Sequence, residues 1–234
     1  HGQLAPLIRR AEERVAERTR ELEETHRELE ETQNKLIAEL ESELQTAHNI
    51  QMGLLPARSP DWENAVVAGY CRPATHVGGD LYHFLDATGT NIASVADVTG
   101  HGMEAAVPVM MYDGILRTEI HYDSNNGLIE RLNERLKAIF ERRTFLCLSM
   151  VSIDDQGKEI RVTNAGLPYP LHYKEADATI EPIAIDALPL GLRPNSTYVW
   201  NTVEVESGDR IIMYSDGLIE VEDSDGNIYG SDRF

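Results

Sequence analysis

The sequence predicts an α+β domain, helices packed on antiparallel sheets, entered through a long N-terminal helix with coiled-coil character. Three observations predict it. Residues 7–55 hold no glycine before Gly53 and no proline, and they are dense in Glu, Arg, Leu, Ala and Gln, the good helix formers. Short β-branched runs separated by turn dipeptides fill most of the remainder. Two amphipathic helical patterns interrupt those runs near the middle.

The N-terminal stretch carries a seven-residue spacing through Ile8, Val15, Leu22, Leu29 and Leu36, polar at Glu43 and apolar again at Ile50. Its companion positions, among them Thr19, His26 and Gln33, stay polar until Leu40. Sustained heptads predict a parallel coiled-coil dimer, because a lone helix is marginal in water and too little of each turn is apolar for ordinary core packing. At ~1.5 Å per residue the helix would be on the order of 70 Å long. Pro56 and Pro60 end it, so residues 1–55 are assigned to a coiled-coil linker and 56–234 to a globular domain.

Within that domain the β-branched runs fall at 65–71, 80–85, 91–97, 145–153, 159–163, 169–173, 198–205 and 210–214. Helices are predicted over 103–120, with Pro108 as a kink or early-turn residue, and over 126–141, capped by Asn125 or Asn126. Asp223–Asn227 reads as a hairpin turn and not a calcium loop, because its glycine falls too early and no bidentate glutamate follows.

A net charge of −19 argues against nucleic acid, whose phosphates an acidic surface repels. Cys71 and Cys147 lie in separate apolar runs, too far apart in sequence for a zinc site. They are expected as buried free thiols, with a disulfide left open. No run of 18 apolar residues and no signal-peptide pattern occurs, so a soluble, cytoplasmic piece without a membrane segment is expected.

Three segments carry the chemistry: Gly78-Gly79-Asp80, Asp97 to Gly102, and Ser215-Asp216-Gly217. Each sets an aspartate beside glycine at the end or edge of an apolar strand. Any one of them alone is an ordinary turn aspartate. Three on separate strands in one small domain would bury several carboxylates, and these need cations or hydrogen-bond donors. Hard divalent ions such as Mg²⁺ or Mn²⁺ prefer such oxygen ligands.

The segments AHNIQMGLLP, CRPATHVGGDLYHF, ASVADVTGHGMEAA, NAGLPYPL, LPLGL and SGDRIIMYSDGLIE occur in this order. Together they resemble the bacterial branch of the protein phosphatase 2C-like superfamily, the SpoIIE and RsbU type. The resemblance implies two packed antiparallel sheets flanked by helices, an αββα sandwich holding two Mn²⁺ or Mg²⁺ ions. It further implies that Asp97 bridges both ions, that Asp80 and the Val98 carbonyl serve one, and that Asp216 holds the other. The implied substrates are phosphoserine or phosphothreonine proteins, typically anti-sigma-factor antagonists; the partner expected from the heptads is a second copy through the N-terminal helix.

This chain departs from the family pattern in places. His83 stands where many members have Asp, and Leu167 where many have His. The final Asp-Asp-x-Thr is not reached by Phe234, so its aspartate is expected beyond this residue in a longer chain or missing. His83 is expected on the strand surface or beside a cation's water, and His101 either as a general acid or as a shaper of its loop. These departures keep a second class open, a pseudophosphatase that binds a signalling partner without turning it over.

Overall fold

The computed structural model describes residues 4–87, 89–121, 127–141, 143–154, 156–157 and 159–233. The chain forms two compact units, His1–Ala47 and His48–Phe234. Helix α1 spans Leu4–Met52. Along the first unit Val15, Leu22, Leu29 and Leu36 are 55–70% exposed, so the heptad seam is apolar surface in the single chain. Exposed pairs one turn apart, such as Arg18–Glu21 at 3.1 Å and Lys35–Glu39 at 3.8 Å, lace its polar faces and contribute little each. Among the described residues no helix is long and apolar enough to cross a membrane.

Among the described residues the second unit holds eight strands: β1 (Asp80–Ala87), β2 (Thr90–Val98), β3 (Leu146–Asp154), β4 (Ile160–Ala165), β5 (Leu171–Lys174), β6 (Thr179–Pro182), β7 (Asn201–Val203) and β8 (Arg210–Ile212). They form two antiparallel sheets, ordered β1-β2-β3-β4-β7 and β6-β5-β8. Helices α2 (Met103–Glu119) and α3 (Leu128–Ile139) follow β2. The mixed α+β class with two antiparallel sheets is therefore as the sequence predicts.

Strand alternation divides the core in two. Leu81, Leu85, Ile92, Ala96, Leu148 and Met150 point to one face and pack with Val109, Tyr112, Leu116 and Leu132 of the helices. Ala93, Val151, Ile153 and Val162 point to the other face, joined by Trp62 and Ile185 and by Phe84 and Ile211. Trp62 crosses Phe84 edge to face at 6.1 Å and donates to Asp86 at 2.6 Å.

Several expectations change. Residues 65–71 form no strand beyond a single bridge from Ala65 to Trp62. Gly69 instead lies against the Tyr82 ring, where a Cβ would come within 2.5 Å of the ring carbons. The run at 198–205 contracts to β7, and the exposed β6 carries no apolar pattern by which it could have been read. Asn125 and Asn126 lie outside the described residues; the residue before α3 is Gly127, left-handed at φ 68°. Pro108 sits inside α2, and Cys71 and Cys147 are free thiols. The Asp223–Asn227 turn closes as a hairpin, its aspartate accepting from the backbone N–H of Asp225 and Asn227 at 2.9 Å.

Candidate active site

Antiparallel pairing brings the first two acidic motifs together. Asp80 opens β1 and Asp97 stands one residue from the end of β2, and the register sets them opposite each other. Cys147 of β3 continues the row on the far side of Asp97. Directly opposed side chains have Cβ atoms ~5 Å apart, and like charges placed so are destabilising. One end of the inter-sheet face is thus acidic, while two rows further in it becomes Phe84, Ala93, Val151 and Val162.

Asp216 comes from elsewhere. It opens a 3₁₀ turn, Asp216–Leu218, just beyond β8, and its carbonyl accepts from the N–H of Ile219 and Glu220, both at 2.9 Å. This turn lies against β1: a methyl group on Gly217 would sit 3.7 Å from Asp80 Oδ2.

Electrostatics follow from that convergence. Burial is the largest influence raising the Asp80 carboxyl above its usual range; the hydrogen-bonded Ser215 hydroxyl opposes it and Asp216 adds to it. Asp97 is pushed up to about 7 by burial and then by Asp80, Asp216 and Glu220 in turn. Both thiols of the chain border this row. Cys147 is raised to about 12 by burial, Asp97 and Asp216, and Cys71, whose Sγ donates to the Asp80 carbonyl at 3.8 Å, to about 11 by burial and Asp80. Each thiol therefore stays protonated at neutral pH.

Asp80 Oδ1 is buried without a hydrogen-bond partner. A buried carboxylate oxygen left unpaired costs free energy, and an oxygen-seeking cation is the group that would relieve it. The Val98 carbonyl and Asp97 Oδ1 close over Gly79, where a Cβ would lie 2.4 and 2.9 Å away, so only glycine lets them approach this backbone. The Val98 N–H donates to the Gly79 carbonyl at 3.1 Å and locks the crossing. The donor set is wholly oxygen and fits Mg²⁺ or Mn²⁺. Among the described residues, however, no three His, Cys, Asp or Glu side chains are close enough together to enclose an ion.

His83 departs from expectation. Alternation on β1 turns it to the helical face, opposite to Asp80, where it is 1% exposed and therefore not a strand-surface residue. Its Nε2 lies 2.9 Å from Asp113 Oδ1 of α2, and its Nδ1 lies 3.4 Å from Ser94 Oγ. His101 is exposed in the turn before α2, between Gly100 and Gly102, both at positive φ. Leu167 is buried, and its carbonyl accepts from Asn164. Residue order does not show Ser215 beside Asp80, or Glu220 and Cys147 near Asp97; the strand register and the 3₁₀ turn bring them there.

A family model for stage II sporulation protein E (SpoIIE) matches residues 88–234, more than half of the chain. The chain belongs to the SpoIIE family. Its domain is of the protein phosphatase 2C type. Phosphoserine phosphatase RsbU of Bacillus subtilis is 28% identical over 193 residues, which cover 80% of this chain and 56% of RsbU. The chain thus spans about half the length of that relative. The SiaA-PP2C domain of Pseudomonas aeruginosa has the same fold, with a TM-score of 0.68 at 18% identity over 84% of this chain and 80% of that one. RsbX, solved in complex with magnesium, matches with a TM-score of 0.50 at 21% identity over 63% of this chain and 70% of RsbX.

Proposed function

We propose that residues 56–234 act as a metal-dependent phosphatase on phosphoserine or phosphothreonine proteins, using Asp80, Asp97, Asp216 and the Val98 carbonyl to hold two Mn²⁺ or Mg²⁺ ions. The observation that carries this is the unpartnered, buried Asp80 Oδ1 facing Asp97 across the β1–β2 ladder. Bound there, divalent cations would lower the pKa of water and screen the charge of the phosphoryl oxygens. The chain's own groups do the rest. Asp97, opposite Asp80 and within the influence of Asp216 and Glu220, supplies the charge that makes cation binding favourable. The Ser215 hydroxyl favours the ionised form of the Asp80 carboxyl, against the burial that raises it. The magnesium held by RsbX supports the same chemistry here.

Within the proposal, α1 forms a homodimeric coiled coil that regulates the domain, the substrate is a phosphorylated anti-sigma-factor antagonist, and the protein works in the cytoplasm. The exposed heptad seam supports the dimer, and the free thiols suit a reducing compartment. A monomer mass by light scattering at protein concentrations of tens of micromolar would refute the dimer.

The acids are not drawn tightly enough to enclose an ion, and this favours one other reading, a pseudophosphatase that binds its partner without turnover. Hydrolysis of a phosphoserine protein with and without Mn²⁺ separates the two. Metal-dependent release of phosphate, lost in Asp97→Ala, supports the enzyme. Mn²⁺ binding without any release supports the binding module.

A further inference from the structure

The loop that delivers Asp80 to β1 is held from outside the sheet. His48 and Gln51, three residues apart and so on one face of the last turn of α1, both reach it. His48 Nδ1 lies 2.6 Å from the His76 carbonyl. Gln51 Nε2 donates to the Gly78 carbonyl at 2.6 Å, and its Oε1 accepts from the Gly78 N–H at 3.0 Å. One side-chain amide thus satisfies both backbone polar groups of a single residue, fixing its orientation as well as its place.

Gly78 and Gly79 have the widest backbone freedom of any residue pair. Asp80 follows directly, and Gly79 is the residue over which the Val98 carbonyl and Asp97 Oδ1 close. Nothing within Gly78 and Gly79 themselves limits where that backbone rests. Gln51, 1% exposed, supplies a rigid reference for it.

We propose that Gln51 is a positioning residue: its amide clasp on Gly78 fixes the Gly78–Gly79 backbone so that the Asp80 carboxylate and the Val98 carbonyl converge on one divalent cation. This rests on the assignment of Asp80, Asp97 and Val98 as cation ligands. A purely structural Gln51 would only dock α1, and its loss would lower stability without changing cation affinity in the folded protein.

The test is Mn²⁺ titration calorimetry on EDTA-treated protein, at a temperature where circular dichroism reports full folding. Gln51→Met keeps the side chain's length and removes both hydrogen bonds. Its Kd for Mn²⁺ is expected to rise about tenfold or more, the usual effect of losing a group that orients a metal ligand. His48→Ala, which removes only the contact at His76, is expected to raise it less. An unchanged Kd in folded Gln51→Met overturns the proposal. If that variant does not fold, His48→Ala decides: a raised Kd supports the clasp, and an unchanged one overturns it. Wild-type protein that binds Mn²⁺ but hydrolyses no phosphoserine protein sinks the proposed activity and leaves this inference standing. Wild-type protein that binds no Mn²⁺ overturns both.

Discussion

Two groups of acids among the described residues of this domain are treated in opposite ways. On α2, Asp113 and Glu119 have side chains only 8% and 6% exposed, and each is paired. Asp113 accepts one bifurcated bond from Arg117 Nε, with Oδ1 at 2.9 and Oδ2 at 3.0 Å, and faces His83. Glu119 receives Arg131 at 2.9 Å and Arg135 at 3.1 Å. At the β1–β2 edge, Asp80 and Asp97 meet each other, Asp216 and Glu220. Two unit charges ~5 Å apart repel by on the order of 3 kcal/mol at an effective dielectric near 20. Acids that serve stability bring their cations with them; acids kept unpaired against that cost are suited to an ion taken from solution.

The largest effect expected is on the unpaired set. Asp97→Asn should reduce Mn²⁺-dependent phosphate release to background while leaving the metal-free protein at least as stable as wild type at pH 8, since it removes repulsion. Activity assays beside metal-free melting curves check both halves. A variant that is inactive because it is unfolded would break the contrast.

Next comes the paired set. Replacing both Arg131 and Arg135 by Met strands Glu119, which should cost about 3–5 kcal/mol in urea denaturation. A cost near zero would mean that this acid, too, had no need of its partners.

The two sets should also differ in the sign of their pH dependence. Burial raises the Asp113 carboxyl, but the bonds and charges of His83 and Arg117 outweigh it and hold the carboxyl below its usual range. Its stabilisation is therefore present above the ordinary carboxylate pKa of about 4 and lost as pH falls through the lower folded value. Asp113→Asn should cost about 1–3 kcal/mol between pH 5 and 7, with the difference from wild type closing under stronger acid. Asp97, raised to about 7, works the other way. The folded metal-free protein holds a proton that the unfolded chain has released, so this contribution fades as pH rises from 4 to 7. Smallest of all, Lys35→Ala removes an exposed pair on α1 and should change stability by no more than about 0.5 kcal/mol.

Much of this was legible from residue order. Helix α1, both middle helices and most strands follow from periodicity and breakers, which act locally. The aspartate motifs were legible because glycine beside a strand-end carboxylate is a local signature. What stayed hidden depends on register. His83 stands three residues after Asp80, and an odd separation on a strand places it on the other face, toward Asp113. Cys147 and Ser215 join the acids only through β2–β3 pairing and the turn after β8. Gln51 sits five residues before the Pro56 breaker, and its role depends on the path of Gly78, which residue order does not show. Residues 65–71 look like a strand by composition, but a strand needs a neighbour, and here the chain lies against the Tyr82 ring.

The central claim is that the unpaired Asp80–Asp97 edge is a divalent-cation site. Calorimetric titration of Mn²⁺ into EDTA-treated wild-type protein and into Asp80→Asn tests it most directly. The account predicts saturable binding to the wild type that is lost or strongly weakened in the variant. Identical isotherms for the two proteins would contradict it.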